Sequence, residues 1–468
     1  MFKGLENSTE SSVLSPCENS SSSSSSPPSS SLSSPSLSSS SSCESQSVYT
    51  SLLRSSGEPS SRSNNRKQIL ILIILGSGSF FIAASDALQA PFFPGECYTK
   101  GVSFLTCGLI FGAFAITGEC RKLLHHRMFA YVTPHTTLRF GLFLTGTTTV
   151  LFGVLDKVTS AHEFAIIALF LRIGQAVGVA FSNLSIETLN SNEFDMRWNL
   201  VEPSLVTDVA YHKGFIFGSL IGGVLYMCGG YLMPFVIFGS LILLAGLLSI
   251  AVLPAPDNYT LMGHAYEIHD GDAVEWTDSF VIASFNALTG FNDVTLAQHL
   301  SQFNLSPIGI GSIFMTFRLL RFAFHCFWIR LKDIGLDVSW VSILGITFNI
   351  IGLLLIGPVS FIHIGPSLWL IILSLIILAI GISSDDYYRE TDPYYKWFNT
   401  LPTIAAFIGP VAGGYLIGTI GYRSATECVL ALEIFTLLLL IVHKICNRRT
   451  EVEPRSYLYD LIDHFANT

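Results

Sequence analysis

The stretch FGSLIGGVLYMCGGY, from Phe217 to Tyr231, returns 191 residues later as IGPVAGGYLIGTIGY, from Ile408 to Tyr422. Six positions are identical without a gap: Gly218 and Gly409, Gly222 and Gly413, Gly223 and Gly414, Leu225 and Leu416, Gly230 and Gly421, Tyr231 and Tyr422. A glycine pattern repeated about half a chain apart indicates that the protein is built from two related halves.

The composition decides the class of protein. Half of the 468 residues are hydrophobic and only 13% are charged, and the mean hydropathy is positive. A soluble domain usually carries about twice that share of charged residues. Apolar runs near the roughly 20 residues that cross a bilayer recur along most of the chain. We therefore expect an all-α polytopic membrane protein whose surroundings are the lipid bilayer, with no nucleic acid as a partner.

The amino-terminal segment and the cysteines add little chemistry. Residues 1–67 are polar and serine-rich, so they cannot bury a core, and we expect a disordered cytoplasmic tail. The nine cysteines include no CxxC pair and no Cys/His cluster. No metal site, cofactor or external disulfide is therefore expected. The absence of a catalytic triad or phosphate-binding loop from the sequence argues against an enzyme.

Twelve apolar spans are predicted, six on each side of a polar segment at 254–278. Spans 1 to 12 are placed at 68–89, 102–120, 140–156, 162–182, 214–229, 231–253, 279–299, 307–328, 338–358, 365–383, 400–419 and 422–443. The expected organisation is an N-terminal six-helix half (68–253), a central cytoplasmic loop (254–278), a C-terminal six-helix half (279–443) and a cytoplasmic tail (444–468).

The positively charged residues predict the orientation. Segments assigned to the inside hold 19 of the 25 lysines and arginines, whereas the outside loops hold only Lys100, Lys157 and Arg423. Basic residues concentrate on the cytoplasmic side of membrane proteins. Both termini are therefore predicted to be cytoplasmic, which agrees with an even number of spans.

The repeated glycines fall in spans 5 and 11, which are equivalent positions in the two halves. Glycines four residues apart leave a groove on one helix face, where a neighbouring backbone can approach closely. Paired halves that move about a central site are an established transporter architecture. The residues of this structural motif are Gly214, Gly218, Gly222, Gly223, Gly409, Pro410, Gly413 and Gly414.

The first copy of the motif carries a family resemblance. The pattern GxxxGSxxGG, at 214–223, resembles the fifth-helix motif of antiporters in the major facilitator superfamily. That motif normally has a proline at the position of Ser219, and the second copy does have it, as Pro410. The stretch LRIGQAVGVA, at 171–180, resembles the superfamily's fourth-helix RxxQGxGxA signature, with Arg172 and Gln175 in place.

Other stretches narrow the resemblance. Four of them are similar to the vesicular amine transporter family, and most similar to its vesicular polyamine transporter-like branch: APFFPGECYTKG (90–101), VLFGVLDKV (150–158), QFNL (302–305) and LLIGPVSFIHIGPSLWL (354–370). The resemblance implies the major facilitator fold, a small-molecule substrate and proton-coupled antiport of organic cations such as polyamines or monoamines into vesicles. We expect a monomer in an intracellular vesicle membrane.

Three segments depart from the family. Segment 121–139 lacks the compact Gly/Asp/Arg motif that the family carries between spans 2 and 3. Segment 183–212 is polar where the family has the end of span 4 and a short loop, and segment 383–399 replaces a longer, more apolar passage. These are either divergent loops or the product of an imperfect gene model.

Acidic residues inside spans are candidates for binding the substrate and protons, because a carboxylate both attracts an amine and exchanges a proton. Asp293 matches an acidic residue of the family's span 7. Asp86 lies in span 1, about one helical turn beyond the position of the family's aspartate, which is Ile82 here. A solvated helix end is an alternative explanation for Asp86. Glu119, at the end of span 2, is close to Arg121, which favours an interfacial salt bridge over a substrate contact.

Basic and amide side chains in the spans are candidates for coupling. The resemblance gives Arg172 a position linked to proton coupling, with Gln175 in the same signature. Arg318, Arg321 and His325 lie at i, i+3 and i+7 on one face of span 8. Two positive charges there either pair with an acid such as Asp293 or indicate an anionic substrate.

Two classes of function remain open. The first is a secondary active transporter that works by alternating access, with organic cations as the expected substrate and anionic or neutral solutes as the alternative. The second is a transport-inactive homologue that serves as a membrane receptor or scaffold, which the missing motif between spans 2 and 3 favours.

Overall fold

The computed structural model describes residues 60–119, 132–192, 202–253, 276–332, 338–357, 365, 367–385 and 400–466. The predicted tail before residue 60, most of the central loop and most of segments 121–139 and 383–399 lie outside these ranges. All regular structure within the ranges is helical.

Helices cover every predicted span. They run over Ser60–Ala87, Phe104–Glu119, Pro134–Val154, Ala161–Asn192, Pro203–Gly229, Leu232–Val252, Trp276–Ser301, Pro307–Lys332, Val338–Ile356, Leu368–Ile382 and Thr400–Ala466. The last of them bends at Gly421 and therefore contains both span 11 and span 12. Seven helical stretches within the described ranges are long and apolar enough to cross a membrane by length and composition alone. The prediction of an all-α membrane fold is confirmed.

The helices of spans 4 and 5 are longer than predicted. The prediction ended span 4 at residue 182 and began span 5 at residue 214, with 183–212 as a possible divergent loop. Instead, the helix of span 4 continues to Asn192, and that of span 5 begins at Pro203, where proline suits the first helical turn. The extensions pack together, because the Asn190 amide donates to the Thr207 hydroxyl at 2.7 Å and both side chains are buried. Polar residues here pair with each other, so hydropathy alone marks a span end too early.

The two halves use the same helix pairings. Span 1 packs against span 5 in the first half, and span 7 packs against span 11 in the second. Spans 3 and 4 form a pair, as do spans 9 and 10. Across the halves, span 5 contacts span 8 and span 11 contacts span 2. Each pairing therefore has an equivalent in the other half.

The repeated glycines lie at these close approaches, as the sequence predicts. A β-carbon on Gly218 would lie 2.7 Å from the Ala84 carbonyl oxygen in span 1. A β-carbon on Gly409 would likewise collide with the Ala287 carbonyl oxygen in span 7. Real β-carbons do not approach so closely, so a larger residue would push the helices apart.

A second pair of repeated glycines sets the turns. Gly230 (φ 68°) ends the helix of span 5, and Gly421 (φ 81°) ends span 11. Residues with a side chain rarely adopt this backbone conformation, whereas glycine adopts it readily. Each glycine thus allows the chain to reverse at once into the next span, and the turn is the same in both halves.

Candidate functional site

Four charged side chains from spans 1, 4, 7 and 8 form two ion pairs inside the bundle. Arg172 Nη2 lies 2.8 Å from Asp86 Oδ1, and Arg318 Nη2 lies 3.5 Å from Asp293 Oδ1. The two pairs also interact electrostatically with each other. Asp293 attracts Arg172, and Asp86 attracts Arg318. The structure therefore places these four predicted residues in one site.

Arg172 is fixed by several partners at once. It donates from Nη1 to Gln175 Oε1 at 2.8 Å, so the two residues of the fourth-helix signature contact each other. Its guanidinium carbon lies 4.0 Å from the centroid of the Phe114 ring of span 2, which adds a cation–π attraction. With only 2% of its side chain exposed, Arg172 needs all of these partners to offset the loss of hydration.

Gln175 extends the network to neighbouring helices. Its amide nitrogen donates to Thr149 Oγ1 of span 3 at 3.1 Å and to Ser85 Oγ of span 1 at 3.5 Å. Gln89 Nε2 donates in turn to Gln175 Oε1 at 3.4 Å. A chain of hydrogen bonds therefore links spans 1, 3 and 4 behind the Asp86 carboxylate. The sequence did not single out Ser85, Gln89 or Thr149.

Arg318 makes most of its contacts with the opposite half of the protein. From span 8, it donates to the Ser219 hydroxyl and, at 3.2 Å, to the Ala87 carbonyl oxygen. Its guanidinium carbon lies 4.2 Å from the centroid of the Phe215 ring of span 5. Asp293 is its ion-pair partner within its own half.

The carboxylates are more accessible than the guanidiniums. The side chains of Asp86 and Asp293 are 22% and 30% exposed, whereas those of Arg172 and Arg318 are 2% and 6% exposed. An exposed fraction on a side chain inside a bundle means that water can reach it. In both ion pairs, the acid is therefore the more exposed partner and the arginine the more buried one.

Other predicted residues lie at the edge of the site or outside it. Arg321 is partly buried one turn from Arg318, and its charge acts on both Arg318 and Asp293. His325 continues that face of span 8, and its ring centroid lies 5.9 Å from that of His212 in span 5. The backbone of Glu119 ends the helix of span 2, but its side chain lies outside the described residues.

One further acid is enclosed elsewhere in the second half. Glu433 of span 12 is completely buried, and its Oε2 accepts from Asn349 Nδ2 of span 9 at 3.5 Å. The structure turns this residue inward, although the sequence analysis did not single it out. No pattern in the sequence shows which face of span 12 meets span 9.

Comparison with known proteins agrees with this architecture. The chain is 29% identical over 368 residues to the human "MFS-type transporter SLC18B1", an alignment that covers 72% of this chain and 78% of the relative. No protein-family model matches the sequence.

Two solved structures show the same fold. One is a bacterial homologue of the human lysosomal transporter Spinster in an inward-facing, occupied conformation, with a TM-score of 0.62, 15% identity, and coverage of 82% of this chain and 97% of that one. The other is the D323A mutant of the nucleoside transporter NupG, with a TM-score of 0.61, 12% identity, and coverage of 79% and 99%. The resemblance drawn from the glycine and arginine motifs is confirmed, and the relatives are transporters rather than enzymes.

Proposed function

We propose that this chain, which is similar in sequence and fold to transporters of the major facilitator superfamily, exchanges protons for an organic cation by alternating access. The proposed location is an intracellular vesicle membrane with both termini cytoplasmic, and the proposed unit is a monomer. The similarity to vesicular amine transporters and the distribution of basic residues support this assignment.

The observation that carries the proposal is the difference in exposure within the two ion pairs. The Asp86 and Asp293 side chains are about a quarter exposed, while their arginine partners are almost fully buried. Opposite charges attract strongly where water is scarce. An ammonium group in the accessible space would therefore contact carboxylate oxygens directly, whereas an anion would contact the same acids and be repelled.

The pairing of the buried arginines with acids also weakens the case for an anionic substrate, which rested on positive charges in span 8. The two deeply buried arginines are each neutralised by an acid, so they do not present two free positive charges. Arg321 adds one positive charge beside Asp293.

Proton exchange follows from the same geometry. A substrate ammonium and a proton compete for each carboxylate, because a protonated carboxyl group no longer attracts a cation. The arginines remain bonded when this happens: Arg172 keeps Gln175, and Arg318 keeps Ser219 and the Ala87 carbonyl. Neither guanidinium is left without partners, so the carboxylates can change charge without breaking up the bundle.

Alternating access fits the paired contacts between the halves. Span 5 meets span 8 where a β-carbon on Gly311 would lie 2.6 Å from the Ser219 carbonyl oxygen, and span 2 meets span 11 where Gly108 approaches Pro410. Two equivalent contacts on either side of the site allow one half to rock against the other. Both ion pairs lie close to this boundary.

The proposal is tested by uptake into proteoliposomes with an acidic interior. A labelled polyamine, a monoamine, an organic anion and a nucleoside are compared, with protein-free vesicles and a protonophore as controls. We expect the cations alone to accumulate, and only while the pH gradient is present. Accumulation of the anion or the nucleoside would contradict the cation site. If none of the solutes accumulates in vesicles with correctly folded protein, the chain is a transport-inactive homologue.

A further inference from the structure

Span 1 ends with a backbone carbonyl that cannot complete its helix. The oxygen of Ala87 would normally accept from the N–H of residue 91, but residue 91 is proline and has no N–H. Ala87 is buried, so water does not replace the missing donor. Its oxygen accepts instead from the Ser219 hydroxyl at 3.3 Å and from Arg318 Nη1 at 3.2 Å.

Ser219 is therefore bonded on two sides. Its hydroxyl donates to the Ala87 oxygen and accepts from Arg318. Ala87 and Ser219 belong to the first half and Arg318 to the second. The Ala87 carbonyl, the Ser219 hydroxyl and the Arg318 guanidinium form a direct polar tie between the halves. Ala87 directly follows Asp86 in the chain.

The other half of the repeat shows what is particular about this tie. Gly311 packs on the carbonyl of Ser219, and Gly108 packs on the carbonyl of Pro410, so Ser219 and Pro410 occupy equivalent places. In sequence, Arg318 lies as many residues after Gly311 as Ala115 lies after Gly108. Arg318 and Ala115 are therefore equivalent positions of the two contacts. Thus Ser219 contacts Arg318, whereas the equivalent positions of the other contact are a proline and an alanine. The departure of Ser219 from the antiporter motif and the arginine in span 8 occur together.

We propose that Ser219 is a positioning residue that sets how strongly Arg318 competes with the substrate for Asp293. The inference rests on the proposed function, because it concerns the affinity of the same site. Arg318 is shared between Asp293 on one side and Ser219 with the Ala87 carbonyl on the other. When Ser219 and the Ala87 carbonyl hold the Arg318 guanidinium more firmly, that guanidinium shields the Asp293 carboxylate less from an arriving cation.

Removal of the hydroxyl shifts that balance. In Ser219→Ala, Arg318 loses one acceptor and relies more on Asp293, so the cation must displace a better-held arginine. One charge-assisted hydrogen bond corresponds to roughly a tenfold change in an equilibrium. Arg318 does not lose this hydrogen bond outright, because it can donate more strongly to Asp293 instead. We therefore expect the KM for the transported cation to rise about threefold to tenfold while kcat stays within about twofold.

The experiment compares four variants in the uptake assay. Ser219→Thr keeps the hydroxyl and should restore the low KM, whereas Ser219→Cys keeps the volume with a weaker hydrogen bond and should resemble Ser219→Ala. Ser249→Ala is the matched control, because that buried serine bonds only to Gly246 of its own helix through its hydroxyl. A KM for Ser219→Ala and Ser219→Cys equal to that of the unaltered protein would overturn the proposal, as would a higher KM in the Ser249→Ala control.

A second measurement does not depend on transport. Thermal unfolding of purified Ser219→Ala, Arg318→Lys and the double variant forms a double-mutant cycle. If the tie exists, Ser219→Ala lowers Tm when residue 318 is arginine. It lowers Tm much less in the Arg318→Lys background. Additive effects would overturn the tie. If the unaltered protein transports no cation, the proposed function fails, yet this cycle still decides whether Ser219 holds Arg318.

Discussion

At the residue scale, the charged side chains of the spans are distinguished by their partners. Arg172 is almost completely buried and is offset by the Asp86 carboxylate, the Gln175 carbonyl and an aromatic ring. A charge enclosed in protein costs several kcal/mol unless such partners are present. Without Asp86, Arg172 keeps one hydrogen-bond acceptor, Gln175 of its own helix, whereas without Asp293, Arg318 keeps acceptors in the opposite half. The two acids are therefore not interchangeable in their effect on folding.

That asymmetry makes Asp293→Asn the more informative change. Asparagine keeps the shape and removes the charge, so we expect proton-driven cation uptake to fall to background while abundance and trafficking stay near normal. Asp156→Asn is the control, because Asp156 is an exposed acid between spans 3 and 4, 3.9 Å from Lys100, and surface pairs contribute little. Uptake by the Asp293 variant equal to that of the unaltered protein would remove this residue from the mechanism and make Asp86 the acid to test.

Glu433 poses a different question, because its neighbours are neutral. Its carboxyl group contacts the Asn349 amide and lies near the Ser284 hydroxyl. An ionised carboxylate enclosed by neutral groups inside a membrane protein costs several kcal/mol. The neutral, protonated acid is therefore the form that fits this place.

Glu433→Gln should consequently be tolerated. Glutamine has the shape and donor capacity of a protonated glutamate, so we expect Tm to change by no more than about 2 °C. Glu433→Ala should lower the free energy of unfolding by about 1–3 kcal/mol, because it strands a buried amide. Both are measured by thermal unfolding of the purified protein. A strongly destabilised glutamine variant would mean that the ionised form is required.

At the scale of elements, the helix pairs depend on small residues at fixed places. Gly218 and Gly222 in span 5 lie against span 1, and Gly409 and Gly413 in span 11 lie against span 7. In lipid there is little hydrophobic gain from bringing two helices together, so close backbone packing carries the association. The same residues keep the helices near enough for Arg318 to reach across to span 1.

Substitution of these glycines should separate the helices. We expect Gly218→Leu and Gly409→Leu each to reduce the free energy of unfolding by about 1–3 kcal/mol through overpacking, and to affect both halves comparably. Gly95→Ala is the control, since a β-carbon there meets no atom within 4 Å. Abundance and Tm in detergent provide the measurement. Normal values for the leucine variants would contradict the close-packing role of the repeated glycines.

At the scale of the whole molecule, the two halves meet through spans 5 and 8 on one side and spans 2 and 11 on the other. The polar tie of Ser219 and Arg318 occurs only at the first of these contacts, since the second has Pro410 and Ala115 at the equivalent places. The repeat is thus symmetric in its backbone packing and asymmetric in its charges.

Orientation in the membrane is the prediction that belongs to this scale. The preference for basic residues on one side of the twelve spans predicts that both ends of the chain lie in the cytosol. Epitope tags inserted at residue 60 and after Thr468 should therefore both be cleaved by protease added to sealed, cytosol-side-out vesicles. A luminal soluble marker serves as the control for sealing. A protected tag at either end would contradict the assignment.

Much of the fold follows from the sequence alone. The thickness of the bilayer fixes how many apolar residues a span needs, so the spans could be located from hydropathy. The repeated glycines predicted equivalent close approaches in spans 5 and 11, and the structure shows them. Acids and arginines within spans could be identified as candidates, because their cost in a membrane makes each one conspicuous.

Only the tertiary structure decided which of these groups meet. The pairing of Arg172 with Asp86, the position of Arg318 between Asp293 and Ser219, and the inward face of Glu433 join residues that are far apart in sequence. Hydropathy and spacing describe one helix at a time, and they do not contain the rotation of that helix about its axis. The rotation is set by packing against other helices, so the chemistry of the site emerges only when the halves are assembled.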